Sequence, residues 1–289
     1  ENSGIHVSIS SDLPHAADHA VSVFEKQYRA WREQDRFAAW GNYKRRYFTI
    51  AVGGGNTVKA QFERMVDRLH SRVDWYAHVR FFMLEDSSGE GRWESPERSL
   101  VMYFITPLAR RMIAARSLRA VARDLDLADV RHEHEIVDAL VRSMVVPMNM
   151  AEVKRALDAR KRALATRLAR SEAARYDKSI RDKLGESMAF HYLLSGIGKD
   201  GALGALTPYL PELAQTTPGV SVIKRPRGAL RVALNRGVLV NAHCISLIVS
   251  GNLKLRALGR LEMEESTDFE QTVMETPLRI LRARPDIAA

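Results

Sequence analysis

Short apolar runs alternate along this chain with longer stretches whose apolar positions recur every three or four residues. Residues 46–52 form such a run and stop in Gly53-Gly54-Gly55, which predicts a strand ending in a glycine turn. From Thr57 onward Val58, Phe62, Val66 and Leu69 fall at helical spacing, so the glycines lie between a strand end and a helix start. Val79–Leu84 reads as a second buried strand running into Glu85-Asp86-Ser87-Ser88-Gly89, and Ala189–Ser195 as a third running into Gly196-Ile197-Gly198. Ile5–Ile9, Val220–Ile223, Leu230–Leu234, Cys244–Val249 and a short Arg279–Leu281 complete the predicted strands. Helices are predicted over 15–39, with Asp12 as cap and Pro14 in the first turn, over 97–116 with a break at Pro107, and over 252–265. Residues 117–149 are helical in composition but poorly phased. A single helix of roughly 50 Å is predicted from 150 to about 184. Strands alternating with helices predict an α/β domain with a mostly parallel sheet.

The glycine loop carries the clearest candidate chemistry. In open α/β sheets ligands bind outside the carboxyl ends of strands. Glycines allow backbone N–H groups close to an anion, and a helix N-terminus adds partial positive charge. Gly54, Gly55, Asn56 and Thr57 are therefore candidate phosphate ligands. The same glycines also suit a tight turn with no ligand. Neither a P-loop nor the dinucleotide G-x-G-x-x-G pattern is present.

Four stretches, taken in order, resemble the 6-phosphogluconolactonase and glucosamine-6-phosphate deaminase/isomerase superfamily. Ala51–Val58 resembles its Ser-Gly-Gly-Ser-Thr-Pro loop, with Gly53, Asn56 and Val58 as departures. Val79–Asp86 resembles the strand that ends in Gly-Asp-Glu-Arg. Phe190–Leu206 resembles Phe-Asp-Leu-Val-Leu-Leu-Gly-Ile-Gly-Pro-Asp-Gly-His-Thr-Ala-Ser-Leu, and Arg231–Lys254 resembles the region that closes on Val-Thr-Gly-x-x-Lys. The resemblance spans roughly residues 5–108 and 170–260. It implies a three-layer α/β sandwich over residues 1–289, with 109–183 as a basic helical insertion.

The resemblance also implies roles. Gly54, Gly55 and Thr57 would hold a phosphate, with Lys254 and Arg231 as cations beside it. Glu85 and Asp200 would face the reacting carbons as a carboxylate pair. Three departures bear on activity: Ala202 stands where the family has its general acid/base histidine, Ser87 where it has an arginine, and His191 where it has an aspartate. Alanine cannot carry a proton, and a positioned acid/base is worth about 10²–10⁴ in rate. The reading is a divergent sugar-phosphate enzyme acting by lactone hydrolysis or proton-transfer isomerisation. The alternative is a non-catalytic sensor or assembly subunit. No cofactor is implied.

Charge and cysteine content narrow the picture further. The net charge is +9, and residues 109–183 hold 18 Lys and Arg against 11 Asp and Glu, a net +7. Acidic residues alternate with the basic ones and Tyr176 is the single aromatic among them, which argues for a solvated helical face over a nucleic-acid surface. That segment is also a candidate surface for homo-oligomer formation. No apolar run approaches the roughly 18 residues that span a bilayer. Cys244 is the single cysteine, so an internal disulfide and a cysteine zinc site are excluded. With no signal-like segment at residues 1–4, a reducing, cytoplasmic setting is expected, and no metal site is predicted. His132 and His134 are two apart, a spacing that separates them on a helix. His191 and Trp75 read as core residues, and Trp93 as a loop residue.

Overall fold

The computed structural model describes residues 8, 10–38, 47–71, 75, 77–87, 95–225, 229–252, 254, 257–259 and 269–283. The predicted strand Ile5–Ile9, apart from Ser8, lies outside the described residues, as do Trp40 and Trp93. Its centre is a parallel sheet built from β1 (Phe48–Val52), β2 (Val79–Met83), β4 (Val145–Val146), β5 (Tyr192–Ser195) and β8 (Ile245–Leu247), in the order β4-β2-β1-β5-β8. β1 is buried at every residue, as a strand covered on both faces must be. On one face Phe48, Ile50, Phe81 and Tyr192 meet α1 (Leu13–Ala38), α2 (Asn56–Leu69) and the helical run 96–116, through contacts such as Phe24 with Phe48 and Phe81 with Phe104. On the other face Phe82 packs on Tyr176 of α8 (Arg162–Leu184), giving three layers.

A second, antiparallel sheet joins β3 (Glu85–Ser87), β7 (Leu230–Leu234) and β6 (Val220–Lys224) in the order β3-β7-β6. Leu84 links the two sheets: its N–H donates to Val52 O at 2.8 Å and its carbonyl accepts from Leu234 N–H at 2.9 Å. The acidic turn expected after β2 is thus itself a strand, held by β7. Tyr176 fixes the end of β2 from behind, accepting from Met83 N–H at 2.6 Å and donating to Met83 O at 3.2 Å.

Elsewhere the expected helices needed correction. The run 96–116 comprises α3 (Pro96–Leu100), a π-helical segment Val101–Ile105 and α4 (Thr106–Arg116). Pro107 therefore does not stop the helix; the wider π turn accommodates its missing N–H. Residues 117–149 resolve into α5 (Leu118–Asp124), α6 (Glu133–Met144) and the two-residue β4, which is too short to show a period. The single long helix from 150 is two, α7 (Ala151–Asp158) and α8. The break is a Schellman turn: Lys161 N–H reaches Ala156 O at 2.8 Å and Arg160 N–H reaches Leu157 O at 2.8 Å. Arg160 occupies its left-handed seat with φ 58°. Since a non-glycine residue there is strained by ~1 kcal/mol, Arg160→Gly should raise stability by ~0.5–1 kcal/mol in urea unfolding. A loss of stability would show that the arginine side chain compensates.

The chain closes with α9 (Arg236–Asn241), α10 (Phe269–Glu275) and a 3-10 turn Pro277–Ala283 in place of the expected strand Arg279–Leu281. Pro277 starts that turn, and Leu278 N–H donates to Gly201 O at 3.0 Å, so the C-terminal turn braces the loop after β5. Arg236 grips Glu270 through both guanidinium Nη atoms, at 2.5 and 2.8 Å. Buried side chains of 109–183, among them Ile136, Leu140 and Ala165, share one core with the sheet. Many of its surface arginines are paired: Arg110 with Glu133, Arg116 with Asp124, Arg175 with Glu172 and Arg181 with Asp177.

Candidate phosphate cradle and its surroundings

In the order β4-β2-β1-β5-β8 the strands after β1 are added first on one side and then, from β5, on the other, so the parallel carboxyl ends of β1 and β5 flank a crevice. Gly53–Gly55 leave β1 and Gly196 leaves β5. Gly55 caps α2 with φ 108°, a conformation suited to glycine, and no side chain caps the helix. Its first N–H groups are therefore open to an anion. Gly53 stands where a Cβ would lie 3.0 Å from Ser195 Oγ and 3.3 Å from Leu84 Cδ1, so the bare backbone admits the Ser195 hydroxyl.

Gly196 is the focus of the crevice. A Cβ there would sit 2.7 Å from Thr57 Oγ1 and 4.0 Å from Lys254 Nζ. Thr57 is buried and Lys254 half-buried, and both point at the same glycine from different elements. Burial holds the Lys254 ammonium below the usual lysine range. It has no hydrogen-bond or ion-pair partner among the described residues. A desolvated, unpaired cation beside a hydroxyl and a free helix N-terminus is an arrangement that an anion completes. Gly54 is half-buried, while Asn56 is exposed at the first turn of α2.

The predicted carboxylates are placed differently. Glu85 Oε2 accepts from Arg231 Nη1 at 2.5 Å, with both side chains mostly buried. Arg231 thus meets Glu85 rather than Lys254. Asp200 is exposed and its Oδ1 accepts the N–H of Ala202 at 3.2 Å, an Asx-type contact that shapes its own loop. Gly198 must be bare for this, because a Cβ would lie 2.4 Å from that oxygen.

Arg225 was not foreseen from the sequence. It is an electrostatic neighbour of both carboxylates and is held by Ala205 O at 3.0 Å and Thr207 Oγ1 at 3.2 Å. Burial lowers its guanidinium pKa first and Arg231 next, while Glu85 and Asp200 pull the other way. The four charges therefore share one neighbourhood. Its contacts cross some 20 residues of sequence with no motif to announce them.

His191 lies at the opposite end of β5. It takes the Thr49 N–H on Nδ1 at 3.1 Å and stacks on Phe48. Trp75 is fully buried and its Nε1–H donates to Leu69 O. His132 and His134 stack because His132 is extended at the start of α6, yet no group of three metal-ligating side chains occurs among the described residues.

Behind Glu85, Asp86 is buried and its carboxyl is pushed up to about 7, first by burial and then by Glu97 and Glu85, against the Ser87 N–H and Arg231. Unfolded, such a carboxyl titrates near 4. Between those values the native state keeps a proton the unfolded chain releases. Stability from this group is thus full below about pH 4 and lost as pH rises through about 7, by at most ~4 kcal/mol. Asp86→Asn should flatten that decline and exceed the native chain in stability at pH 8, as read by urea unfolding across the range. An unchanged slope would contradict it.

A family model described as glucosamine-6-phosphate isomerases/6-phosphogluconolactonase matches residues 126–285, more than half of the chain. Among solved structures, the chain is similar to the 6-phosphogluconolactonase from Trypanosoma brucei, with 17% identity and a TM-score of 0.65 over 96% of this chain and 92% of that one. The 6-phosphogluconolactonase from Thermotoga maritima gives 12% and 0.54 over 91% and 89%. A monomeric glucosamine-6-phosphate deaminase gives 14% and 0.54 over 98% and 95%. At such identities the likeness establishes the fold. No match was found among curated proteins. Among the described residues no helix is long and apolar enough to cross a membrane. With its sequence matched over 126–285 and its fold shared along nearly its whole length, the chain belongs to the glucosamine-6-phosphate isomerase/6-phosphogluconolactonase family.

Proposed function

We propose that the chain binds a phosphorylated sugar or sugar-like metabolite, with the phosphate on the N–H groups of Gly54, Gly55 and Asn56, the Thr57 hydroxyl and the Lys254 ammonium. The observation that carries this is the convergence of Thr57 Oγ1 and Lys254 Nζ on bare Gly196. Sugar carbons then extend toward Glu85, Arg231 and Asp200. The reaction is lactone hydrolysis or proton-transfer isomerisation at low rate, with Glu85 the carboxylate that takes the proton and Arg231 steadying its charge. Arg231 acts there rather than on the phosphate.

A second reading has its own support. Glu85 is engaged by Arg231 and Asp200 by its own loop, and position 202 carries alanine. That arrangement favours a sugar-phosphate sensor without turnover. Residues 1–289 act as one domain in either reading, the segment 109–183 offers the surface for self-association, and the lone thiol suits the cytoplasm.

A thermal-shift panel of sugar phosphates, phosphorylated aldonates and inorganic phosphate tests the reading. Binding at 100 times Kd adds ~2.7 kcal/mol, a shift of several degrees. A selective shift supports the site and names the ligand for a turnover assay. No shift from any phosphorylated sugar would remove the proposal. Multiple turnover on the ligand found would end the sensor reading.

A further inference from the structure

Side chains alternate along β3, so Asp86 faces away from Glu85 and Arg231. It opens on a cavity of about 690 Å³ that shares no lining residue with the phosphate cradle. That volume falls in the range of small-molecule sites. Asp86 is 8% exposed; its Oδ1 takes the Ser87 N–H at 2.8 Å, and no described side chain donates to its second oxygen. Glu97, from α3, lines the same cavity, half-buried and without a hydrogen-bond or ion-pair partner among the described residues.

Val101, Met102, Met148 and Met150 form the apolar part of a mixed lining that also holds Ser95, Thr106 and Asn149. Val101 and Met102 belong to the π-helical segment, a backbone form concentrated at functional sites. Methionine walls adapt to flexible carbon chains. Arg98 and Lys154 stand at the cavity with exposed side chains, and neither forms an ion pair with Asp86 or Glu97. Two desolvated carboxyl groups close together resist ionising until a cation joins them. A hard divalent ion wants six or more oxygen ligands, and no group of three metal-ligating side chains occurs among the described residues.

We propose that this cavity binds a small organic cation, an alkylammonium or diamine whose nitrogen sits between Asp86 and Glu97 and whose carbon chain lies along Val101, Met102, Met148 and Met150.

Calorimetric titration of 1,4-diaminobutane into the full chain tests it, with 1,4-butanediol as a neutral match in length. The expected result is saturable one-to-one binding of the diamine and none of the diol. Asp86→Asn and Glu97→Gln should each weaken binding at least ~10-fold, the typical loss of a charged hydrogen bond. Met102 is 41% exposed, so Met102→Lys spares the fold while placing a competing cation in the cavity, and should abolish binding. Absence of saturation by the diamine or by n-butylamine up to ~10 mM would overturn the proposal. So would binding indifferent to all three substitutions, equal binding of the diol, or saturation by Mg²⁺ or Ca²⁺ in place of the amines.

Discussion

Replacing Lys254 by alanine is expected to weaken binding of a phosphorylated sugar by about 100-fold, since a charge-assisted contact in a desolvated crevice is worth ~2–3 kcal/mol. The fold should not suffer. Burial already disfavours the ammonium in the unliganded chain, and it has no partner to abandon among the described residues. Melting temperature without ligand should therefore hold or rise slightly. Gly196→Ala reaches the same end by another route. Its Cβ would lie 2.7 Å from Thr57 Oγ1 and force that hydroxyl aside, while lying 4.0 Å from Lys254 Nζ. Calorimetry on both variants reads the effect. If Lys254→Ala binds as the native chain does, the lysine is not a phosphate ligand.

Restoring an imidazole should have the largest effect on rate. Ala202→His is expected to raise turnover of a phosphorylated lactone ~100-fold or more, with KM nearly unchanged, because the phosphate contacts are untouched and only proton transfer improves. Neither His191 nor His243 can act in its place. His191 bonds to Thr49 before β5 begins, and His243 N–H is tied to Phe190 O, so both lie toward the amino ends of the strands. The backbone that would present the new side chain is already set: Asp200 holds the Ala202 N–H, and Ala202 O accepts from Gly198 N–H at 2.8 Å. Ala202 is buried beside Gly198, so the melting temperature of the variant is measured first to show that the loop admits the larger side chain. Initial rates on the phosphorylated lactone decide the matter. No gain in a folded variant that still binds the ligand would favour the sensor reading.

The central sheet was legible because β1, β2 and β5 are largely apolar runs that end in glycine or acidic residues. Thr57 was legible from the glycine loop and Lys254 only through its place in a family motif, and their meeting at Gly196 came from the fold. Arg231 was named for the phosphate from its family position, and β3–β7 pairing sets it beside Glu85. The helix breaks were hidden for a local reason. Asp126 and Arg160 take left-handed seats that glycine usually marks, so composition gave no stop. Pro107 gave a stop signal that the π turn before it absorbs. β4 is two residues long and depends on its neighbour β2, a tertiary fact without local periodicity. Asp86 and Glu97 come together only when β3 packs on α3, so their cavity had no trace in spacing.

The most direct test of the account is a calorimetric titration of the native chain with a 6-phosphorylated aldonate and with the same acid lacking phosphate. The account predicts one-to-one binding of the phosphorylated acid, tighter than its counterpart by at least ~100-fold, or ~2.7 kcal/mol. Equal affinity for the two, or no binding of either, would contradict a phosphate cradle at Thr57, Gly196 and Lys254.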